Sequence, residues 1–290
     1  MVVIEPENCE FVASDGYRLH WQRWPARGET PVAWIVALHG IQSHAGWYEY
    51  SSRRLAEAGF EVCFLDRRGS GRNEIARGDV LHEDRLINDV VQFLADVRHR
   101  RNIESPASPV VLMSVSWGGK LAAVTTARRP ELVDALALLY PGIRAQVRPG
   151  WWARFRLGLA RRLGVVDRLV DIPLEDPALF TSSEKWQQFI REDRATLRQL
   201  TVSFLLANRR LDQLSQDAPA RVHCPVLMML AGKDKIIDNP ATRELFDEFV
   251  SPRKRLFEYP EADHTLEFEP GRDGFVDDLV GWLGDVVVAC

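Results

Sequence analysis

The chain has 290 residues, 46% of them hydrophobic and 27% charged, with a formal net charge of −4. This length suits one large α/β domain with an insertion, and no Pro/Gly-rich linker divides it. The charge balance excludes nucleic acid as an expected partner, and no apolar run reaches the roughly 20 residues of a membrane span.

The first residues, MVVIEPENCEF, lack a basic start and carry Glu5, Glu7 and Glu10, so they do not read as a signal peptide. CEFVASDGYRLHWQRW alternates apolar and polar residues around Asp15-Gly16 and predicts a β-hairpin. Six short apolar runs follow: WIVALHG (34–40), FEVCFLDRRGSG (60–71), VVLMS (110–114), DALALLYPG (134–142), PVLMMLAGKD (225–234) and KRLFEYPEADH (254–264). Continuous rather than alternating apolar runs suit strands covered on both faces. Helical patterns occupy Tyr48–Ala58, Glu83–Arg100, Gly118–Arg128, Ala241–Val250 and Phe275–Val288. Alternating strands and helices predict a doubly wound, mostly parallel sheet. The exception is Pro141 to Ala220, with helical but no strand patterns. The expected division is a core of residues 1–142 and 221–290 and a helical lid inserted at 143–220. The four cysteines (Cys9, Cys63, Cys224, Cys290) are far apart, and such isolated thiols suit a reducing, cytoplasmic location.

VVLMSVSWGGKLAAV (110–124) puts Ser116 where a buried strand becomes a helix. Such a turn needs small neighbours, because strand and helix nearly collide, and it holds the serine in a strained backbone conformation. Gly118 meets that need. Ser114 stands where the G-x-S-x-G elbow has its first glycine, and its own flanks, Leu112 and Ser116, do not suit a nucleophile. A serine hydroxyl needs a base to take its proton and an acid to hold that base in the right tautomer. Asp234 and His264 each follow a predicted strand, in the order Ser, Asp, His. Asp238 is the alternative acid, but it precedes Asn239-Pro240, where a helix is expected to start. His39-Gly40 ends the first buried strand, so the N–H groups of Ile41 and Trp117 are the expected oxyanion donors. No cofactor and no metal are expected: His20, His44, His82, His99 and His223 show no ligand spacing, RRGSGR lacks a third glycine, and AGKDK is not a P-loop.

LHGIQSH, DRRGSGRN, SVSWGG, AGKDKIID and EADHTLEFE, in this order and spacing, resemble the α/β-hydrolase superfamily. More narrowly they are similar to the monoacylglycerol lipase and lysophospholipase group of the serine-aminopeptidase-like family. The resemblance runs from about Phe11 to Leu283, apart from the insertion. It includes a D-x-R-G-x-G loop at Asp66, Arg68, Gly69 and Gly71, which is structural in the family. Ser-Trp-Gly also resembles proline iminopeptidases, but HGIQS does not match their HGGPG loop. The resemblance implies hydrolysis of a small-molecule acyl ester, monoacylglycerol-like or of medium-to-long chain, through an acyl-enzyme. Trp151, Trp152 and Phe155 open the insertion among arginines and are expected over the substrate, a pattern that also fits transient contact with a membrane surface. Two further readings stay open. An aminopeptidase or amidase would use lid carboxylates among Glu175, Asp176, Glu184, Glu192 and Asp193 to hold a substrate ammonium. A non-catalytic binding protein would not need a complete triad.

Overall fold

The structure, a computed structural model, describes residues 3–146, 162 and 164–289. In chain order its strands are β1 (Glu7–Val12), β2 (Arg18–Trp24), β3 (Trp34–Leu38), β4 (Glu61–Leu65), β5 (Val110–Val115), β6 (Ala135–Leu139), β7 (Leu169–Asp171), β8 (Gln199–Thr201), β9 (Val226–Ala231) and β10 (Lys254–Tyr259). Its α-helices are α1 (Glu49–Glu57), α2 (Glu83–Glu104), α3 (Gly118–Arg128), α4 (Glu184–Glu192), α5 (Val202–Asp217), α6 (Asn239–Asp247) and α7 (Arg272–Ala289). Eight strands form one sheet in the order β1-β2-β4-β3-β5-β6-β9-β10. The six strands from β4 to β10 along this order run parallel. The β1–β2 hairpin joins antiparallel at the β4 edge, turning at Gly16, whose positive φ suits glycine. This is the α/β-hydrolase fold.

Every residue of β3, β4, β5, β6 and β9 is buried, which is why these segments read as unbroken apolar runs. β10 is the outer strand and keeps Lys254, Arg255 and Glu258 exposed. Such charges discourage another chain from pairing with an open edge. Two helices begin on histidine rather than on the usual Ser, Thr, Asp or Asn. His82 caps α2 by accepting the Asp84 N–H, and His44 caps a 3₁₀ turn at Ala45–Tyr48 by accepting the Gly46 N–H.

One expectation needs correction. The segment between β6 and β9 is not free of strands: β7 and β8 pair antiparallel over three residues each. Strands this short carry no usable periodicity, and both β7 and the first residue of β8 are exposed. Among the described residues no helix is long and apolar enough to cross a membrane. The parallel strands deliver their C-terminal ends to one rim of the sheet, where the loops bearing His39, Asp66, Ser116, Asp234 and His264 collect.

Candidate active site

Ser116 sits between β5 and α3 with a φ of 50°, a conformation that L residues other than glycine rarely adopt. Its backbone is over-determined. Ser116 N–H donates to Leu139 O at 3.0 Å, and its carbonyl accepts from Gly119 N–H (2.9 Å) and Gly142 N–H (2.6 Å). Gly118 is required here: a Cβ would come within 2.7 Å of His39 O and 2.9 Å of Leu38 O. Ser114 lies inside β5, 1% exposed, and its hydroxyl has no hydrogen-bond partner among the described residues. An unmade bond of that kind costs roughly 1–3 kcal/mol, so a serine in place of the first elbow glycine is tolerated rather than favourable.

His264 brings its Nε2 to 3.0 Å from Ser116 Oγ and its Nδ1 to 2.7 Å from Asp234 Oδ2. The other carboxylate oxygen, Oδ1, accepts the N–H groups of Ile236 (2.8 Å) and Ile237 (2.9 Å). A carboxylate accepts only, so the Nδ1 of His264 carries the proton and Nε2 is left as the acceptor that faces the serine hydroxyl. His264 and Asp234 are both buried, which keeps this relay out of competition with water. Asp238 stands apart from it, as the cap of α6, accepting the Ala241 N–H at 3.1 Å.

The loop after β3 is fastened from behind. Gly40 N–H donates to Ser43 Oγ (2.9 Å), which in turn lies 3.0 Å from Tyr48 OH. His39 Nε2 accepts the Arg67 N–H at 2.8 Å, so its Nδ1 holds the proton and donates to Gly40 O at 2.7 Å. Burial, aided by the charge of Arg67, pulls the His39 imidazole down to about 3, which keeps it neutral in this role. Tying back the Gly40 carbonyl turns the Ile41 N–H of the same peptide the opposite way. The Gly40 backbone lies against Ser116: a Cβ there would meet Ser116 Cβ at 3.3 Å. Neither Ile41 N–H nor Trp117 N–H has a hydrogen-bond partner among the described residues.

Residues 29–271 match the family described as serine aminopeptidase, S33. The chain belongs to this family. Within it, the S33 chain is 26% identical to a monoacylglycerol lipase of Mycolicibacterium smegmatis over 279 residues, covering 94% of this chain and 95% of that one. It is 26% identical to the human monoglyceride lipase over 260 residues, 89% of this chain and 84% of the other. Its fold superposes on a monoglyceride lipase of Saccharomyces cerevisiae solved with a substrate analogue, with a TM-score of 0.84, 17% identity and 99% and 96% of the two chains covered.

The Asp66–Gly71 loop is structural here, as the resemblance implies. Asp66 accepts from Ala45 N–H, Arg72 N–H and His20, and a Cβ on Gly71 would strike its carboxyl group at 2.4 Å. Burial opposes the charge on Asp66, but these bonds outweigh it and hold the carboxyl at about 2. Arg68 forms two 2.7 Å bonds to Asp89.

Two arrangements in this S33 chain escaped the sequence reading, which named Asp193 only as a possible holder of a substrate ammonium. The first is an aromatic wall beside the relay. Tyr140 and Phe180 stand edge-on to His264, with centroids at 4.9 and 5.9 Å, and Phe180 continues through Trp47 to Phe189 and Phe268. The second is Asp193, whose Oδ2 accepts from His44 Nε2 (2.9 Å), Trp47 Nε1 (2.8 Å) and Thr196 Oγ1 (2.7 Å). It binds the insertion to the loop after β3 and so is occupied. Of the other insertion carboxylates, Asp176 caps a turn through Ala178 N–H, Glu184 and Glu192 are exposed on α4, and Glu175 is exposed. A cavity of about 630 Å³ opens at Gln42, next to Ile41, and is bounded by Arg77, Glu175, Arg194 and Arg198. Trp151, Trp152 and Phe155 lie outside the described residues. Among the described residues one set of donor groups, His82, Glu83 and Asp84, lies within 4.8 Å of one another, but Asp84 pairs with Arg128 and Glu83 with Arg210.

Proposed function

We propose that the protein is a serine hydrolase that cleaves carboxylic esters, with a monoacylglycerol or similar medium-to-long acyl ester as substrate. The observation that carries this reading is the unbroken hydrogen-bonded line from Ser116 Oγ through His264 to Asp234, at 3.0 and 2.7 Å. Ser116 attacks the ester carbonyl as His264 Nε2 takes its proton. Asp234 fixes the tautomer and balances the imidazolium that results. The N–H groups of Ile41 and Trp117 receive the oxyanion, and their lack of other partners leaves them free for it. His264 returns the proton to the leaving alcohol, and water then releases the acid from the acyl-enzyme by the same route. No cofactor takes part.

Several features support an ester of lipid type. The relatives are named monoacylglycerol lipase and monoglyceride lipase, and others phospholipase and lysophospholipase. The aromatic wall beside His264 suits an acyl chain. The aminopeptidase reading loses Asp193, which is spent on His44 and Trp47. Residues 143–220 act as the lid in this reading, with Trp151, Trp152 and Phe155 over the substrate or against a lipid surface.

The test is a fluorophosphonate probe together with a panel of p-nitrophenyl esters and aminoacyl anilides. Labelling should vanish in Ser116→Ala and persist in Ser114→Ala, and turnover should fall by about 10⁶ in the former. kcat/KM should climb from acetyl toward octanoyl esters, by up to about 0.8 kcal/mol for each CH₂ buried. Labelling that survives Ser116→Ala would falsify the nucleophile, and turnover of aminoacyl anilides alone would defeat the ester reading.

A further inference from the structure

Arg67 occupies the unspecified position of the D-x-R-G-x-G loop, so the motif itself does not account for it. Its side chain is buried, with 7% of the residue exposed, yet no carboxylate pairs with it among the described residues. The guanidinium does three other things. Nη2 donates to Ile41 O at 2.9 Å. The charged plane lies over the Trp117 ring, 4.8 Å from its centroid. It also lies over Phe204 of α5, at 5.1 Å. Among the described residues, Nε and Nη1 meet no acceptor.

Taking a cation out of water without a counter-ion is expensive, and cation–π contact returns only part of that cost, about 2 kcal/mol when desolvated. Burial pulls the Arg67 guanidinium down to about 9, which still leaves it charged at neutral pH. A structural role does not need such a group: a methionine would fill the same space between Trp117 and Phe204 without a desolvated charge. The two residues it grips directly, Ile41 and Trp117, are those whose N–H groups stand unpartnered beside Ser116. α5 closes the same cluster from the other side, because Trp117 Nε1 donates to Asn208 Oδ1 at 2.7 Å.

We propose that Arg67 is a positioning residue for the oxyanion site, holding both donor-bearing residues in register and placing between them a buried positive charge that no carboxylate contacts directly among the described residues. The proposal rests on the serine-hydrolase reading above. The charge is preorganised for the moment when the carbonyl oxygen becomes negative, and it acts little on the neutral ester. Removing it should therefore slow the chemical step and leave ground-state binding nearly intact.

The experiment compares wild type, Arg67→Met and Arg67→Lys. Competent sites are first counted with a fluorophosphonate probe. Turnover of p-nitrophenyl butyrate is then expressed per labelled site, and inhibition is measured with an alkylboronic acid that becomes tetrahedral on the serine. Removing a direct oxyanion donor costs about 10²–10³ in rate, so kcat per labelled site in Arg67→Met should fall by roughly 30- to 300-fold. KM should stay within about threefold, and the boronate inhibition constant should rise in step with the loss of kcat. Arg67→Lys, which keeps the charge but not the flat stack, should lose only about tenfold. A kcat per labelled site within twofold of wild type in Arg67→Met overturns the proposal. If that variant does not fold, Arg67→Lys decides by the same criterion. Wild-type protein that is not labelled at Ser116 brings down the hydrolase reading and this proposal together. A fully labelled wild type beside an unaffected Arg67→Met brings down this proposal alone.

Discussion

Glu267 carries a buried carboxyl group that the Ser116 relay does not use. It sits on the 3₁₀ turn Leu266–Phe268, three residues past His264. One oxygen accepts the Ser51 N–H at 3.0 Å, and the other has no hydrogen-bond partner among the described residues. Burial pushes this carboxyl up from 4.5 to about 7, against the opposing bonds from Ser51. The folded state therefore holds a proton that the unfolded chain releases near 4.5. Stability from this group is full below that value and declines as pH rises through 7. Glu267→Gln keeps the acceptor for Ser51 without the charge. It should remove the decline and stabilise the fold at pH 8 by up to about 3 kcal/mol, with little change at pH 4. Urea denaturation at the two pH values measures this, and an equally steep decline in the variant would refute it. Ser116, Asp234 and His264 could be picked out as candidates because the proposed chemistry demands a residue type at a strand end, and the fold brings the three within hydrogen-bond reach. Glu267 and Arg67 were not, since neither has a local signal. Arg67 draws its meaning from Ile41, Trp117 and Phe204, which the fold brings to it from elsewhere in the chain.

Elements were legible in proportion to their burial. The runs that became β3, β4, β5, β6 and β9 are apolar at nearly every position because both faces are covered, and α3 spans the predicted Gly118–Arg128. Boundaries were poorer where the cap is unusual: the helix expected from Tyr48 begins as a 3₁₀ turn on His44, and α2 runs on to Glu104. The insertion was the least legible part, because its short strands and caps are fixed by contacts with the core. Asp193 makes one polar tie of that kind, with three donors on a single oxygen. Burial opposes its charge, but the bonds from His44 and Trp47 hold its carboxyl well below the usual range. Asp193→Ala leaves three donors on Oδ2 without their acceptor, so it should destabilise the protein by roughly 2 kcal/mol or more. It should also lower kcat on short esters, because the loop bearing Ile41 loses its anchor at His44. Thermal unfolding and ester kinetics on one preparation check both effects. A variant within 0.5 kcal/mol of wild type, about the scatter of ordinary surface substitutions, would show that the tie is idle.

Across the molecule, the arrangement at the rim of the sheet is assembled from distant parts of the chain. Ser116 and His264 are 148 residues apart, and the histidine follows β10, the outermost strand at its end of the sheet. This separation makes reactivity a late reporter of folding. On the proposed mechanism, a chain that has not yet laid β10 against β9 holds Ser116 on a finished β5–α3 turn without His264 beside it, and so is chemically silent while already largely compact. Chains of this size commonly pass through such intermediates. On dilution from denaturant, tryptophan fluorescence should recover first and ester turnover should lag behind it. Coincident recovery of the two signals would mean that the sheet closes in a single step. With the lag, Ser116 gains His264 only once the last strand is in place.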